Sequence, residues 1–125
     1  MKTKILLIGF QTQEQISILA HIKKWKKKFE IVFALYDINA IDEIAKTQKR
    51  EKIRGLIFHR NILITYPQKC RLILDFANLY QKKPVVAINI IWNDQDRVGR
   101  DNSVSTFFAA EGDWKQVETI LDNNI

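Results

Sequence analysis

Three titratable side chains stand where apolar runs of the sequence end. His59, Asp37 and Asp94 each follow a run rich in β-branched or aromatic residues, as buried strands are. The carboxyl ends of parallel strands share one edge of a sheet, where ligands bind. An imidazole beside a carboxylate can transfer protons or bind a polar ligand. One interpretation is therefore a small-molecule or anion-binding protein, or an enzyme, with its site around these residues.

The residues around His59 give little support to catalysis. No hydroxyl nucleophile is clearly paired with it, and the second histidine, His21, belongs to the first predicted helix. Gly9-Phe10-Gln11-Thr12-Gln13 follows the first strand with a single glycine, whereas a dinucleotide-binding turn needs several. We expect no enzyme activity, no cofactor and no metal.

Five strand-like runs alternate with helical patterns and determine where these residues lie. The predicted strands are Lys4–Phe10, Phe29–Tyr36, Gly55–Phe58, Pro84–Ile91 and Val104–Ala109. Helical spacing covers about residues 12–27, 39–50 and 65–82, and Asp113 with Gln116 predicts the cap of a last helix. The polar segment 92–102 predicts a fourth helix that is short or irregular. This order indicates an α/β fold with a parallel sheet covered by helices on both faces.

Length and composition indicate one domain over residues 1–125. The chain is 46% hydrophobic and 27% charged, and it has six Gly and Pro residues in total. No window of 18 apolar residues predicts a membrane span, and residues 1–15 do not resemble a signal peptide, so we expect a cytoplasmic protein. The single cysteine, Cys70, excludes an internal disulfide and a cysteine-based metal site.

Four segments resemble response-regulator receiver domains. Lys4–Ile8, Arg54–Phe58 and Pro84–Ile88 are similar to the first, third and fourth receiver strands, and Asn93–Arg97 is like the polar turn after the fourth. The resemblance spans the whole chain in element order and length. It implies a three-layer, doubly wound, five-stranded parallel sheet of the receiver or flavodoxin-like type, with strand order 2-1-3-4-5.

The positions that carry receiver chemistry hold different residues here. The degenerate phospho-acceptor pocket comprises Gly9, Phe10, His59, Arg60, Asn89 and Ala110. Receivers hold magnesium with two acids after the first strand, and neither glycine nor phenylalanine supplies the oxygen ligands that magnesium needs. Arg60 stands nearest the position where receivers carry their phosphate-accepting aspartate, and it is expected to pair with Asp37 or Asp94, or to be solvated.

These departures imply a regulatory domain that is not phosphorylated. Degenerate receivers of this kind resemble the N-terminal domains of some bacterial transcription activators, including flagellar regulators. The resemblance implies action through a protein partner or a homodimer. It competes with the small-molecule or anion-binding interpretation, and the sequence leaves both open.

Two apolar surfaces are candidates for a partner contact. On the first helix one stripe holds Ile16, Leu19 and Ala20, and a second lies on another face, so part of the arc is expected to be exposed. Deep burial between neighbouring elements is the alternative. The candidate interaction surface comprises Ile18, Ile22 and Trp25, together with Phe107 and Trp114, where receivers commonly pair.

The net charge of +6 comes largely from the ends of predicted helices. The resulting basic rim comprises Lys23, Lys24, Lys26, Lys27, Lys28, Arg50 and Lys52. Cations at helix C-termini interact favourably with the helix dipole, and this position is opposite the expected ligand edge. No nucleic-acid-reading motif accompanies the rim, so an acidic protein is a better candidate partner than nucleic acid.

Overall fold

The computed structural model describes residues 3–34, 53–80, 85–91, 104–110 and 112–125. Several predictions lie outside these ranges: the helix over 39–50, the irregular fourth helix, and the residues Asp37, Asp94, Arg50 and Lys52.

The described strands form a single parallel sheet. They are β1 (Thr3–Ile8), β2 (Phe29–Ala34), β3 (Ile53–His59), β4 (Val85–Ile91) and β5 (Val104–Ala110). All pairs are parallel and the order is β2-β1-β3-β4-β5, as predicted. This is the order of flavodoxin-like doubly wound folds.

Among the residues that the structure describes, five helical segments connect or follow these strands. They are α1 (Thr12–His21), a 3-10 helix (Lys23–Lys27), α2 (Arg60–Thr65), α3 (Pro67–Tyr80) and α4 (Trp114–Asn124). None of them has both the length and the apolarity that crossing a membrane requires, among the residues the structure describes.

The core has two halves, one on each face of the sheet. Alternate residues of a strand point to opposite faces, so the unbroken apolar run of β1 supplies both halves. Leu6 and Ile8 pack in the half that contains Ile62 of α2 and Ile73 of α3. The other half joins β1 to α1, the 3-10 helix and α4, and the three-layer α/β prediction is confirmed.

The first helix is shorter than predicted and its exposed stripe was assigned wrongly. It ends at His21, and Ile22 leaves the helical conformation with φ −106° and ψ 26° before the 3-10 helix begins. Ile18, Ile22 and Trp25 are 4%, 0% and 1% exposed, whereas Ile16, assigned to the other stripe, is 67% exposed. The predicted partner surface on this helix is therefore part of the core.

Trp25 is buried although it lies beyond the end of α1, in the 3-10 helix. Its ring packs edge-to-face on Phe29, with centroids 6.1 Å apart, and lies 6.2 Å from the Trp114 ring. The stripe with Ile18, Ile22 and Trp25 is thus buried, whereas Ile16 of the other stripe is exposed, so part of the apolar arc is exposed as expected.

The helix expected from about residue 65 is α3, which begins at Pro67. The short helix α2, which begins directly after β3 and ends at Thr65, was not predicted. Proline disfavours the helical conformation of the residue before it, and Tyr66 has φ −132° and ψ 60°. Pro67 then occupies the first position of α3, where its missing N–H costs no helical hydrogen bond.

The cap predicted for α4 is confirmed. The Asp113 Oδ1 atom accepts a hydrogen bond from the Gln116 backbone N–H at 3.0 Å.

Lys28 of the predicted basic rim contacts α4. Asp122 of that helix accepts a hydrogen bond from the Lys28 ammonium at 3.0 Å, which raises the pKa of Lys28. Lys28, assigned to the basic rim, is thus held against α4, while the other rim lysines of the 3-10 helix are exposed at the amino end of β2.

Cys70 is a small buried side chain, as expected. Its thiol lies 3.6 Å from the Ile62 carbonyl oxygen, and burial raises the pKa of the thiol to about 12. The thiolate is the reactive form of cysteine, so burial disfavours reaction of this side chain in the folded protein.

Candidate functional site

A cleft of about 200 Å³ opens at the carboxyl ends of β1 and β3. α1, the end of β3 and the turn before α4 surround it. It is lined by aromatic and polar side chains, namely Phe10, Glu14, Ser17, His59 and Trp114, together with Ile18 and Gly112. Open parallel sheets bind their ligands at this edge, so the cleft is the candidate site.

His59 joins two helices at this edge. Its Nε2 atom lies 2.8 Å from the Glu14 Oε2 atom, and its Nδ1 atom accepts a hydrogen bond from the Asn61 backbone N–H at 3.0 Å. The second contact makes His59 the N-cap of α2, which satisfies a backbone N–H at the helix start. The side chain is therefore fixed at both ring nitrogens and only 8% of the residue is exposed.

These contacts determine the tautomer of His59. A nitrogen that accepts a backbone N–H carries no hydrogen, so Nδ1 is unprotonated and Nε2 bears the hydrogen that it donates to Glu14. The ring is neutral and has no unused nitrogen lone pair facing the cleft. Proton abstraction from a ligand by His59 would require breaking the cap of α2.

Glu14 is fixed by the first turn of α1. Its Oε1 atom accepts a hydrogen bond from the Gln11 backbone N–H at 3.1 Å, while Oε2 accepts from His59. A carboxylate three residues after an N-cap commonly makes this reciprocal contact and interacts favourably with the helix dipole. The side chain is 38% exposed, so the carboxylate is positioned but remains accessible.

Aromatic rings form the apolar side of the cleft. Phe10 is buried and presents its ring to His59 at 5.1 Å and an interplanar angle of 82°, which is an edge-to-face contact. Its centroid lies 6.0 Å from that of Trp114, which is partly exposed. Phe10 thus follows β1, two residues beyond the strand end, and extends the core up to the cleft.

Gly9 has a conformation and surroundings that no other residue suits. Its φ is +91°, in the region that favours glycine. A Cβ atom at this position would lie 2.8 Å from the Ile62 Cγ2 atom and 3.3 Å from the His59 Cβ atom. The chain therefore does not accommodate an acid at the position that a receiver uses for metal binding unless α2 moves.

The structure brings some of the predicted site residues together and leaves others apart. Gly9, Phe10 and His59 meet at the cleft. Arg60 is partly exposed at the start of α2 and does not line the cleft. Asn89 and Ala110 occupy the carboxyl-terminal halves of β4 and β5, and Phe107 lies in β5.

Glu14 and Ser17 are site residues that sequence reasoning missed. They are three residues apart on α1 and therefore share one helix face. The available signal was Glu14 three residues after Gln11, at the start of the helix that follows the first strand. The position of a residue at a strand end is the signal used in the sequence, and it does not identify residues that a helix contributes to the same edge of the sheet.

Metal ligation has little support in the described part of the chain. No group of three or more His, Cys, Asp or Glu side chains there lies close enough to share a metal ion. Glu14 and His59 are a pair of possible ligands, but each is already engaged by the other.

Comparisons with known proteins give one structural likeness. No protein-family model and no curated protein matches the chain. The crystal structure of a diflavin flavoprotein A3 from Nostoc sp. is similar with a TM-score of 0.42 and 16% sequence identity, covering 89% of this chain and 78% of that one. A likeness at this level bears on neither the ligand nor the activity of this chain.

Proposed function

We propose that this chain is a small-molecule-binding domain whose ligand occupies the cleft between α1 and the turn before α4. The observation that carries the proposal is the lining of the cleft: an aromatic wall on one side and convergent polar groups of Glu14, Ser17 and His59 on the other. Ligand sites are typically concave and largely apolar with a few placed polar groups. The position at the carboxyl ends of the strands agrees with this role.

Binding is better supported than catalysis. Both nitrogens of His59 are engaged, one in the cap of α2 and one by Glu14. A general base needs a free lone pair within reach of the proton that it abstracts. His59 is therefore not placed to act as a general base, and we propose binding rather than catalysis as the role of the cleft.

A ligand screen by thermal denaturation tests the proposal. A compound that binds only the folded protein raises the free energy of unfolding, by about 2.7 kcal/mol at a concentration one hundred times its Kd. We expect small polar or aromatic compounds to raise the Tm of the wild-type protein. The same compounds are expected to quench or shift the fluorescence of Trp114, which lines the cleft.

Two leucine substitutions locate the binding. Ser17→Leu places a larger side chain in the cleft and is expected to abolish the Tm rise. Thr119→Leu makes a comparable change at an exposed position of α4 outside the cleft, and the Tm rise should remain in this variant. Ligands that bind Ser17→Leu as well as wild type, or a broad screen without any stabilising compound, would contradict the proposal.

A phosphorylation-independent regulatory domain is the second candidate. The specific observation in its favour is the pair Gly9 and Phe10, which stand where receivers place metal-binding acids. The closely packed glycine and the buried ring leave no room for that chemistry without rearrangement. In this role the domain would act through a protein partner or a second copy, with Phe107 and Trp114 as the remaining candidates for the contact.

Beryllofluoride with magnesium tests the second candidate. Because the carboxylates that receivers use are replaced, we expect this mixture to change neither the Tm nor the molar mass measured by light scattering. Magnesium alone and fluoride alone serve as controls. A magnesium-dependent shift in either quantity would show a functional receiver pocket and exclude this role.

A further inference from the structure

We infer that the cleft selects a small organic cation: an ammonium or amidinium group attached to an apolar or planar body. The inference rests on the proposed function, because it specifies the ligand of the same cleft. It follows from the charge, the unused hydrogen-bonding capacity and the aromatic lining of the described residues.

The charge of the cleft is opposite in sign to that of the chain. Glu14 contributes a carboxylate, and His59 is neutral because its Nδ1 atom accepts the Asn61 N–H. Among the described residues that line the cleft, no side chain is cationic. The chain as a whole carries a net charge of +6, so this carboxylate is a local negative site on a basic protein.

Glu14 has capacity left for a ligand. Two ionised carboxylate oxygens offer about four acceptor positions. In the structure, Gln11 N–H occupies one position on Oε1 and His59 occupies one on Oε2. The 38% exposure of the side chain leaves the remaining positions accessible to N–H donors of a bound cation.

The other lining residues suit the same kind of ligand. A cation over the face of tryptophan is attracted by the negative face of the ring, and Trp114 is partly exposed beside Glu14 in the cleft. Ser17, exposed on the same face of α1 as Glu14, adds a hydroxyl that donates or accepts. The cleft, at about 200 Å³, is smaller than typical drug-sized sites, so it suits a small ligand.

An anion fits this site poorly. The N-terminus of a helix ordinarily attracts anions through its free N–H groups and dipole. In α1, the Glu14 carboxylate already lies in the first turn and accepts the Gln11 N–H. The anionic ligand considered from the sequence is therefore the less favoured charge class.

Three probes of matched shape and different charge test the inference: phenethylamine, 2-phenylethanol and 3-phenylpropionate. Their affinities are measured by calorimetric titration of the whole chain at one ionic strength. We expect the ammonium probe to bind about tenfold more tightly than the alcohol, because it makes charge-assisted hydrogen bonds, and the carboxylate to bind most weakly.

Two charge-neutralising variants show whether Glu14 is the cause. Glu14→Gln keeps the size of the side chain and one of its two accepted hydrogen bonds, since glutamine has a single acceptor oxygen and Glu14 accepts from Gln11 and His59 on separate oxygens. It is expected to remove the preference for the ammonium probe. Glu30→Gln neutralises a carboxylate on β2 that lies outside the cleft and should leave the preference unchanged. Urea denaturation of both variants establishes that they are folded.

The outcomes separate the inference from the proposed function. Equal affinities for the three probes, tighter binding of the carboxylate or the alcohol, or no binding of the ammonium probe would overturn the cation inference. So would a preference that survives in Glu14→Gln. If the alcohol or carboxylate binds and Ser17→Leu abolishes that binding, the cleft is a ligand site and only the charge assignment fails.

Discussion

Replacing Trp25 with alanine is expected to lower the free energy of unfolding by about 3–5 kcal/mol, the usual cost of removing a buried tryptophan side chain. Trp25 is 1% exposed and lies among the largest fully buried side chains of the described core. Its ring contacts Phe29 in β2 and Trp114 in α4, so the loss would weaken the packing between three elements. Urea denaturation followed by circular dichroism measures the change.

Two controls distinguish a core role for Trp25 from a surface role. Trp25→Phe retains an aromatic ring and is expected to recover part of the lost stability. Lys24→Ala alters an exposed neighbour in the same 3-10 helix and should change stability by less than about 0.5 kcal/mol. If Trp25→Ala instead left stability unchanged and altered the molar mass in light scattering, Trp25 would be a contact residue and its burial would be wrong.

The fold was predictable because its signals are local and consistent. The apolar runs that become β1 and β4 are continuous, as expected of strands covered on both faces, and helical patterns separate successive strands. Parallel strands with helical crossovers then restrict the topology to a few arrangements. The Asp113 cap is equally local, since the carboxylate and the N–H that it accepts are three residues apart.

The face of the first helix that meets the core was not predictable in the same way. The helix has two apolar stripes, and the sequence does not indicate that the one with Ile18 is buried while Ile16 of the other is exposed. The helix ends at His21, but residues 22–28 contain neither glycine nor proline to indicate a break. In the 3-10 helix Trp25 contacts Phe29 of β2 and Trp114 of α4, and the contact with α4 is a long-range property.

The candidate site was only half visible in the sequence for a similar reason. His59 follows a strand, and the expectation that ligand-binding residues stand at the carboxyl ends of parallel strands identified it. Its partner Glu14 is 45 residues earlier on a helix, and their contact depends on how α1 packs on the sheet edge. The capping role of His59 was also missed, because Pro67 indicated a helix start that belongs to α3, whereas α2 precedes it.

The packing of Gly9 links this local geometry to the chemistry of the site. Gly9→Ala is expected to lower the free energy of unfolding by roughly 2–5 kcal/mol, because the backbone strain of a non-glycine residue adds to the cost of overpacking. The added Cβ would lie 2.8 Å from the Ile62 Cγ2 atom and could be accommodated only if α2 shifts. Urea denaturation measures the total cost.

Gly112→Ala separates the two contributions. Gly112 also has a positive φ, +81°, but no atom lies within 4 Å of the place a Cβ would take among the described residues. Its substitution should therefore lower the free energy of unfolding only by the cost of placing a non-glycine residue at a positive φ, roughly 1–2 kcal/mol. The difference between the two variants measures the contact with α2, and equal costs would show that Gly9 is not closely packed. A clear difference would also mean that aspartate, whose Cβ takes the same place, cannot enter this position without displacing the helix that His59 caps.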